Sequence, residues 1–155
     1  MNAKILATLE YSKIIKMLLE QAATSIGKEY TETLSPSTDF ETVKQKLTLT
    51  DEAFAVDRLK GSPPFGGIVN IKPALHRARI HGTLNGQELY EVATTSRGSR
   101  YVKRFLQQAH EEHSITSLLS ISEQISEHRD LEEAIFQAID DQGYVLDQAL
   151  SLIHI

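Results

Sequence analysis

Cysteine is absent from these 155 residues, and so is tryptophan. The first absence excludes a disulfide framework, a thiolate zinc site and a cysteine nucleophile together. Long apolar runs are missing as well. The longest extend over about four residues, against the roughly 20 that a bilayer-spanning helix requires. Residues 1–10 already carry Lys4 and Glu10 and no extended apolar stretch, so a secretory signal is not expected there. With 41% hydrophobic and 24% charged residues, what remains is an ordinary globular composition. The length suffices for one hydrophobic core without staples. A cytoplasmic domain without a membrane anchor is the expectation.

Positive charge is nearly absent from one end. Residues 110–155 hold only Arg129 against ten acids. Residues 61–109 hold the reverse: Lys72, Arg77, Arg79, Arg97, Arg100, Lys103 and Arg104 against Glu88 and Glu91. The net charge of −5 therefore hides a basic middle. Two readings follow. The basic middle can present itself to an anionic partner, or the acidic end can fold back onto it.

Period-two alternation is also scarce, and helical spacing dominates. Ile14, Ile15, Leu18, Leu19 and Ala22 predict an amphipathic helix over Ser12 to Ala23, with Gly27 interrupting the pattern or marking a bend. Ser35-Pro36 stops the next helical stretch. Thr38 and Glu41 have capping-box spacing and open a helix to about Leu59, with Phe40, Val43, Leu47, Thr50 and Phe54 on one stripe. Gly61-Ser62-Pro63-Pro64-Phe65-Gly66-Gly67 is the densest punctuation in the chain. Asn70 then caps a short helix with Ile71, Ala74, Leu75 and Ala78 inward. From the Asn85-Gly86 turn a long helix runs to about Glu112, and its apolar face moves. At about 100° per residue, Leu89, Val92 and Ala93 lie on one side, and Val102, Phe105, Leu106 and Ala109 on another. Either the helix kinks near Gly98, or one helix packs different partners along its two halves. Two shorter helices follow, around Ile115 to Ile125 and around Leu131 to Ile139, the second with Leu131, Ala134, Ile135 and Ala138 as its stripe. The fold class is all-α.

Catalytic constellations are lacking too. Gly61 and Gly66 have the offset of a phosphate-binding loop, but Gly67-Ile68 stands where Lys-Ser/Thr must neutralise phosphate and hold magnesium. Pro63 and Pro64 remove two backbone donors that would cradle a phosphate. His110 and His113 are three apart, not four as on a zinc-protease helix. The turn at Asp140-Asp141-Gln142-Gly143 lacks the alternating oxygens of a calcium loop. The live candidate is the basic middle. Arg97, Arg100 and Arg104 fall within about 60° of arc, with Lys103 beside them, and Lys72, Arg77 and Arg79 form a second patch. Such cations can meet phosphate, which demands charge but no sequence-specific geometry.

Several segments in order resemble the N-terminal region of the bacterial MutS-two family, the second MutS paralogue. They are Lys4-Ile5-Leu6-Ala7-Thr8-Leu9-Glu10-Tyr11, Ser25-Ile26-Gly27-Lys28-Glu29 before Leu34-Ser35-Pro36, and Asp51-Glu52-Ala53 leading to Pro63-Pro64-Phe65-Gly66-Gly67-Ile68. Further on come Ile71-Lys72-Pro73-Ala74-Leu75, Leu84-Asn85-Gly86-Gln87-Glu88-Leu89, Arg100-Tyr101-Val102-Lys103-Arg104-Phe105-Leu106 and Gly143-Tyr144-Val145-Leu146-Asp147. Val69-Asn70 departs from the family, which usually has a charged pair there. The resemblance implies an irregular multi-helix bundle like the MutS core, the base of its levers, over residues 1–148. It implies the truncated start of a lever helix over 149–155. It also implies a longer parent: a dimeric ATPase that uses ATP and magnesium, with an endonuclease activity. That parent handles DNA and ribosomal RNA, restrains homologous recombination and acts on stalled or collided ribosomes. The family's phosphate loop and nuclease residues map onto no part of this chain, so no cofactor is expected in it.

Two functional classes stand: a non-catalytic, nucleic-acid-proximal core of such a protein, or a protein–protein interaction or dimerisation module with no direct nucleic-acid contact. Under both, the purified 155-residue chain neither binds ATP nor cuts DNA. Metal-dependent cleavage of a plasmid by that chain would refute this.

Overall fold

The computed structural model describes residues 3–147 and 149. The expected lever helix over 149–155 lies, apart from residue 149, outside the described residues. Those residues form eight α-helices: α1 (Ala3–Thr8), α2 (Tyr11–Gln21), α3 (Ser25–Glu32), α4 (Phe40–Lys60), α5 (Lys72–Arg79), α6 (Gly86–Glu112), α7 (Thr116–Glu123) and α8 (Arg129–Ala138). No strand occurs among them, only one isolated antiparallel bridge between Ile139 and Val145. No helix among the described residues is long and apolar enough to cross a membrane.

α6 organises the rest. Its start is fixed by a reciprocal cap, with the Asn85 side chain accepting from the Glu88 amide at 2.9 Å and the Glu88 carboxylate accepting from the Asn85 amide at 3.0 Å. The helix continues unbroken through Gly98 for 27 residues. Its two apolar faces serve two separate cores. In the first half, Ala93 packs with Ile135 and Ile139, flanked by Leu89, Tyr90 and Phe136. In the second, Leu106 and Ala109 pack with Val56 and Ile115, flanked by Val102, Phe105 and Leu118. Different partners along its two halves, as the shift of the apolar face allowed, are observed.

Between the two cores lies Thr94 to Ser99, and the glycine-proline loop crosses there. The Val69 amide donates to Thr95 Oγ1 at 3.2 Å, and that hydroxyl donates to the Gly67 carbonyl at 3.4 Å. A Cβ at Gly98 would stand 2.8 Å from Ile68 Cγ1 and 3.1 Å from the Gly66 carbonyl oxygen. Gly98 therefore admits the loop to the helix surface. Asn70 ties the same loop to α3, its Nδ2 donating to Glu29 Oε1 at 2.6 Å and its amide to Ser25 Oγ at 3.2 Å.

Several local expectations are corrected. α4 is capped by Asp39, which accepts from the Thr42 amide at 2.8 Å, and not by Thr38. Its predicted stripe does not face the core: Phe40, Leu47 and Phe54 are 72%, 59% and 71% exposed. α4 packs instead through Val56, which is buried, and through Glu52. The Glu52 carboxylate accepts from the amides of Ser117 and Leu118 at 3.1 and 2.8 Å, capping an α7 that has no side-chain cap of its own. That places a negative charge at the positive end of α7. In α5 only Ala74 is buried, while Leu75 and Ala78 are exposed; Asn70 Oδ1 does accept from the Lys72 amide at 3.1 Å, but the capping position itself is Ile71. In α8 the buried face is Glu132, Ile135 and, just beyond the helix, Ile139, while Leu131 and Ala134 are exposed.

The chain after α8 turns back onto the start of α6. Asp140 Oδ1 accepts from the amides of Gln142 and Tyr144, and Gly143 adopts a left-handed φ of 81°. A Cβ on Gly86 would collide with the Gly143 carbonyl oxygen. Gly86→Ala should therefore destabilise the chain by about 1–3 kcal/mol, since backbone cannot yield as a side chain does. Gly66→Ala, with nothing within 4 Å of its Cβ, should change stability by less than about 0.5 kcal/mol. Urea unfolding of the two variants checks the contrast.

Candidate nucleic-acid interface

The basic residues of α6 lie where the polar stretch meets α8, and the acidic end of the chain reaches them. Arg100 Nη2 lies 2.6 Å from Glu132 Oε2, and its Nε donates to Glu132 Oε1 at 3.4 Å. Ser96 Oγ completes the group, donating to Glu132 Oε1 at 3.0 Å. Glu132 is only 2% exposed. Burial pushes its carboxyl upward, but the hydrogen bonds from Arg100 and Ser96 outweigh this and hold it below its ordinary value. The same bond to Glu132 raises the Arg100 guanidinium above its ordinary value.

The neighbouring cations are engaged as well. The Arg97 guanidinium stacks 4.3 Å from the centroid of the Phe136 ring, and Tyr90 meets that ring edge-on at 5.6 Å. A cation over an aromatic face is attracted by the ring's quadrupole. Lys103 Nζ donates to the Ile125 carbonyl at 2.8 Å, holding the segment between α7 and α8. Arg104 is half-buried. Together with Lys103 it adds to the pull that holds Glu127 below its ordinary value, a pull due first to the hydrogen bond from Arg129. Lys60 pairs with Glu112 at 2.7 Å, joining the C-terminal ends of α4 and α6. The folding back of the acidic end is thus realised in particular pairs, and two of the α6 cations that looked like a surface stripe, Arg97 and Arg100, clasp α8 to α6.

α5 presents a different environment. Arg77 pairs with Glu88 in the first turn of α6. Lys72 and Arg79 are exposed, one helical turn to either side of His76, and Arg79 Nη2 approaches His76 Nδ1 at 3.4 Å. With Leu75 they line a shallow, open depression. The fold therefore does not merge the seven candidate cations into one patch. Lys72 and Arg79 remain outward, Arg77 braces α5 against α6, and Arg97, Arg100 and Lys103 make internal contacts. No cluster of three or more His, Asp or Glu side chains that could hold a metal occurs among the described residues.

Relatives match almost the whole sequence. It is 46% identical over 148 residues to Endonuclease MutS2 of Halalkalibacterium halodurans, covering 94% of this chain. It is 44% identical over 150 residues to Endonuclease MutS2 of Geobacillus kaustophilus, and 41% identical over 152 residues to that of Exiguobacterium sibiricum, each covering 96% of this chain. No family model matches. This stretch of sequence belongs to the MutS2 family. It is an N-terminal piece, spanning about 19% of the length of these relatives.

Within this MutS2 segment, the loop from Pro63 to Ile68, which carries the most distinctive part of the resemblance, serves the architecture by crossing α6 between the two cores. Glu132 is the residue that sequence reasoning missed. Its spacing carried a signal, for Glu132, Ile135 and Ile139 recur at i, i+3 and i+7 and share one helical face. A hydrophobic stripe leaves the acid out because charged residues are almost never buried unless paired, and its partner lies 32 residues away.

Removing one member of this buried pair leaves the other without a counter-charge. Glu132→Ala should cost about 3–5 kcal/mol, and the double substitution Glu132→Leu with Arg100→Met considerably less. Because the folded chain holds Glu132 below its ordinary value, the stabilisation is complete above the usual glutamate range and is lost as pH falls through the depressed folded value. Urea midpoints between about pH 7 and about pH 3 should therefore fall more steeply for the parent sequence than for Glu132→Gln.

Proposed function

We propose that this chain is the non-catalytic helical core of a longer MutS2 protein, resembling the base from which MutS lever helices rise. The longer protein is an ATP- and magnesium-dependent, dimeric endonuclease that acts on DNA in restraint of homologous recombination and on stalled or collided ribosomes. The carrying observation is the Arg100–Glu132–Ser96 group: α6 uses charge from its arginine-bearing middle to hold α8 in place, as a scaffold does. The match to proteins named endonuclease, over about 19% of their length, supports assigning catalysis to other parts of the protein.

Where this core meets nucleic acid, the outward cations of α5 make the contact: Lys72 and Arg79, with Arg77 behind them. Arg97, Arg100, Lys103 and Arg104 contribute positive potential from behind while keeping their contacts within the fold. A second reading, a protein–protein module, is favoured by the exposed stripe of α4.

Binding of a labelled DNA duplex to the 155-residue chain, followed by fluorescence anisotropy at several salt concentrations, separates the two. The double variant Lys72→Glu/Arg79→Glu should weaken binding and reduce the salt slope by about two, one for each lost phosphate contact. An unchanged slope, or no binding by the parent sequence, favours the interaction module.

A further inference from the structure

The outer face of α4 has an internal symmetry that points to its occupant. Phe40, Leu47 and Phe54 recur every seven residues and lie within about 40° of arc. All three are more than half exposed. The opposite face of the same helix, with Glu52 and Val56, meets α7 and the second core. α4 is therefore apolar on two sides, and nothing among the described residues covers the outer one.

Charge on the outer face is arranged about Leu47. Lys44 lies three residues before it and Asp51 four residues after, both on the same flank of the apolar stripe. A helix meeting a copy of itself head to tail brings equivalent flanks together. With the two-fold axis at Leu47, Phe40 meets Phe54 of the copy, Leu47 meets Leu47, and Lys44 meets Asp51, each contact occurring twice. A head-to-head pairing would instead set Lys44 level with Lys44, and Asp51 level with Asp51.

We propose that this face of α4 is a self-association surface, which pairs two copies of the chain antiparallel about Leu47. The relation is isologous: one patch meets itself and the contact closes after two copies. It rests on the reading of the α4 stripe as a protein–protein surface, and neither the α5 cations nor the Glu132 group takes part in it. One helical face on each side falls below the roughly 1,200 Å² of a standard interface, so dissociation in the micromolar range is expected.

Sedimentation velocity of the 155-residue chain tests it, with circular dichroism to verify that each variant keeps its helices. Across about 1 to 200 μM, the expected result is a shift from the 17.3 kDa monomer to a species of twice that mass. Leu47→Glu should abolish the shift. Lys44→Glu alone and Asp51→Lys alone should each weaken association at least about tenfold, since each places like charges opposite one another twice. An equimolar mixture of those two variants should recover it. In a mixed pair each of the two flanking contacts again joins opposite charges, one of them the native Lys44–Asp51 contact and the other its reverse. A parent sequence that stays monomeric throughout, a dimer that survives Leu47→Glu, or a mixture that fails to recover would each overturn the proposal. The first of these outcomes would leave the face to another part of the longer protein.

Discussion

A single long helix has to serve two cores that lie on different sides of it, and the rest of the structure answers that constraint. α6 turns one apolar side to α8 in its first half and another to α4 and α7 in its second. The rotation leaves a short central stretch that neither core covers. Apart from Arg97 its residues are small and mostly polar, and that composition lets backbone approach closely where bulky side chains would stand off. The loop from Gly61 to Val69 fills that place, with Thr95 supplying hydrogen bonds and Gly98 the clearance. A residue that weakens an isolated helix by about 1 kcal/mol is accommodated because it makes room for tertiary contact.

The two cores are small, and polar contacts complete them. Glu132 joins α8 to α6 next to the first core, while Glu52 caps α7 next to the second. In both cases a carboxylate on one helix satisfies donors on another. Lys103 does the complementary work, satisfying the Ile125 carbonyl where the chain leaves α7. Such contacts fix relative position more tightly than apolar packing, because a hydrogen bond has a direction and an apolar contact has none. The same engagement bears on function. Cations clasped to a buried acid and an aromatic ring are poorly placed to exchange those partners for phosphate.

Much of the architecture was legible before the fold was known. The start of α6 at the Asn85-Gly86 turn, its end near Glu112 and the shift of its apolar face all followed from spacing, since each depends on residues within a turn or two of one another. The facing of α4 and α8 was not. Periodicity shows that Phe40, Leu47 and Phe54 share a side, but it carries no information on whether another helix lies there. In α8 the buried side contains an acid, which a hydrophobic stripe cannot reveal. The candidate site was legible as charge and illegible as geometry. Seven cations could be named from their positions, yet which of them face outward depended on partners such as Glu88 and Glu132.

By itself the sequence determined an all-α chain, the places where most of its helices begin and end, its family, and the segregation of charge between its middle and its end. These properties are local or additive, so they survive without knowledge of contacts. Tertiary structure alone decided that the acidic end folds onto α6, that Gly98 admits a loop, and that α4 keeps one apolar side for solvent or a partner. Each of those results joins residues tens of positions apart, and the free energy of such a contact exists only once both are in place.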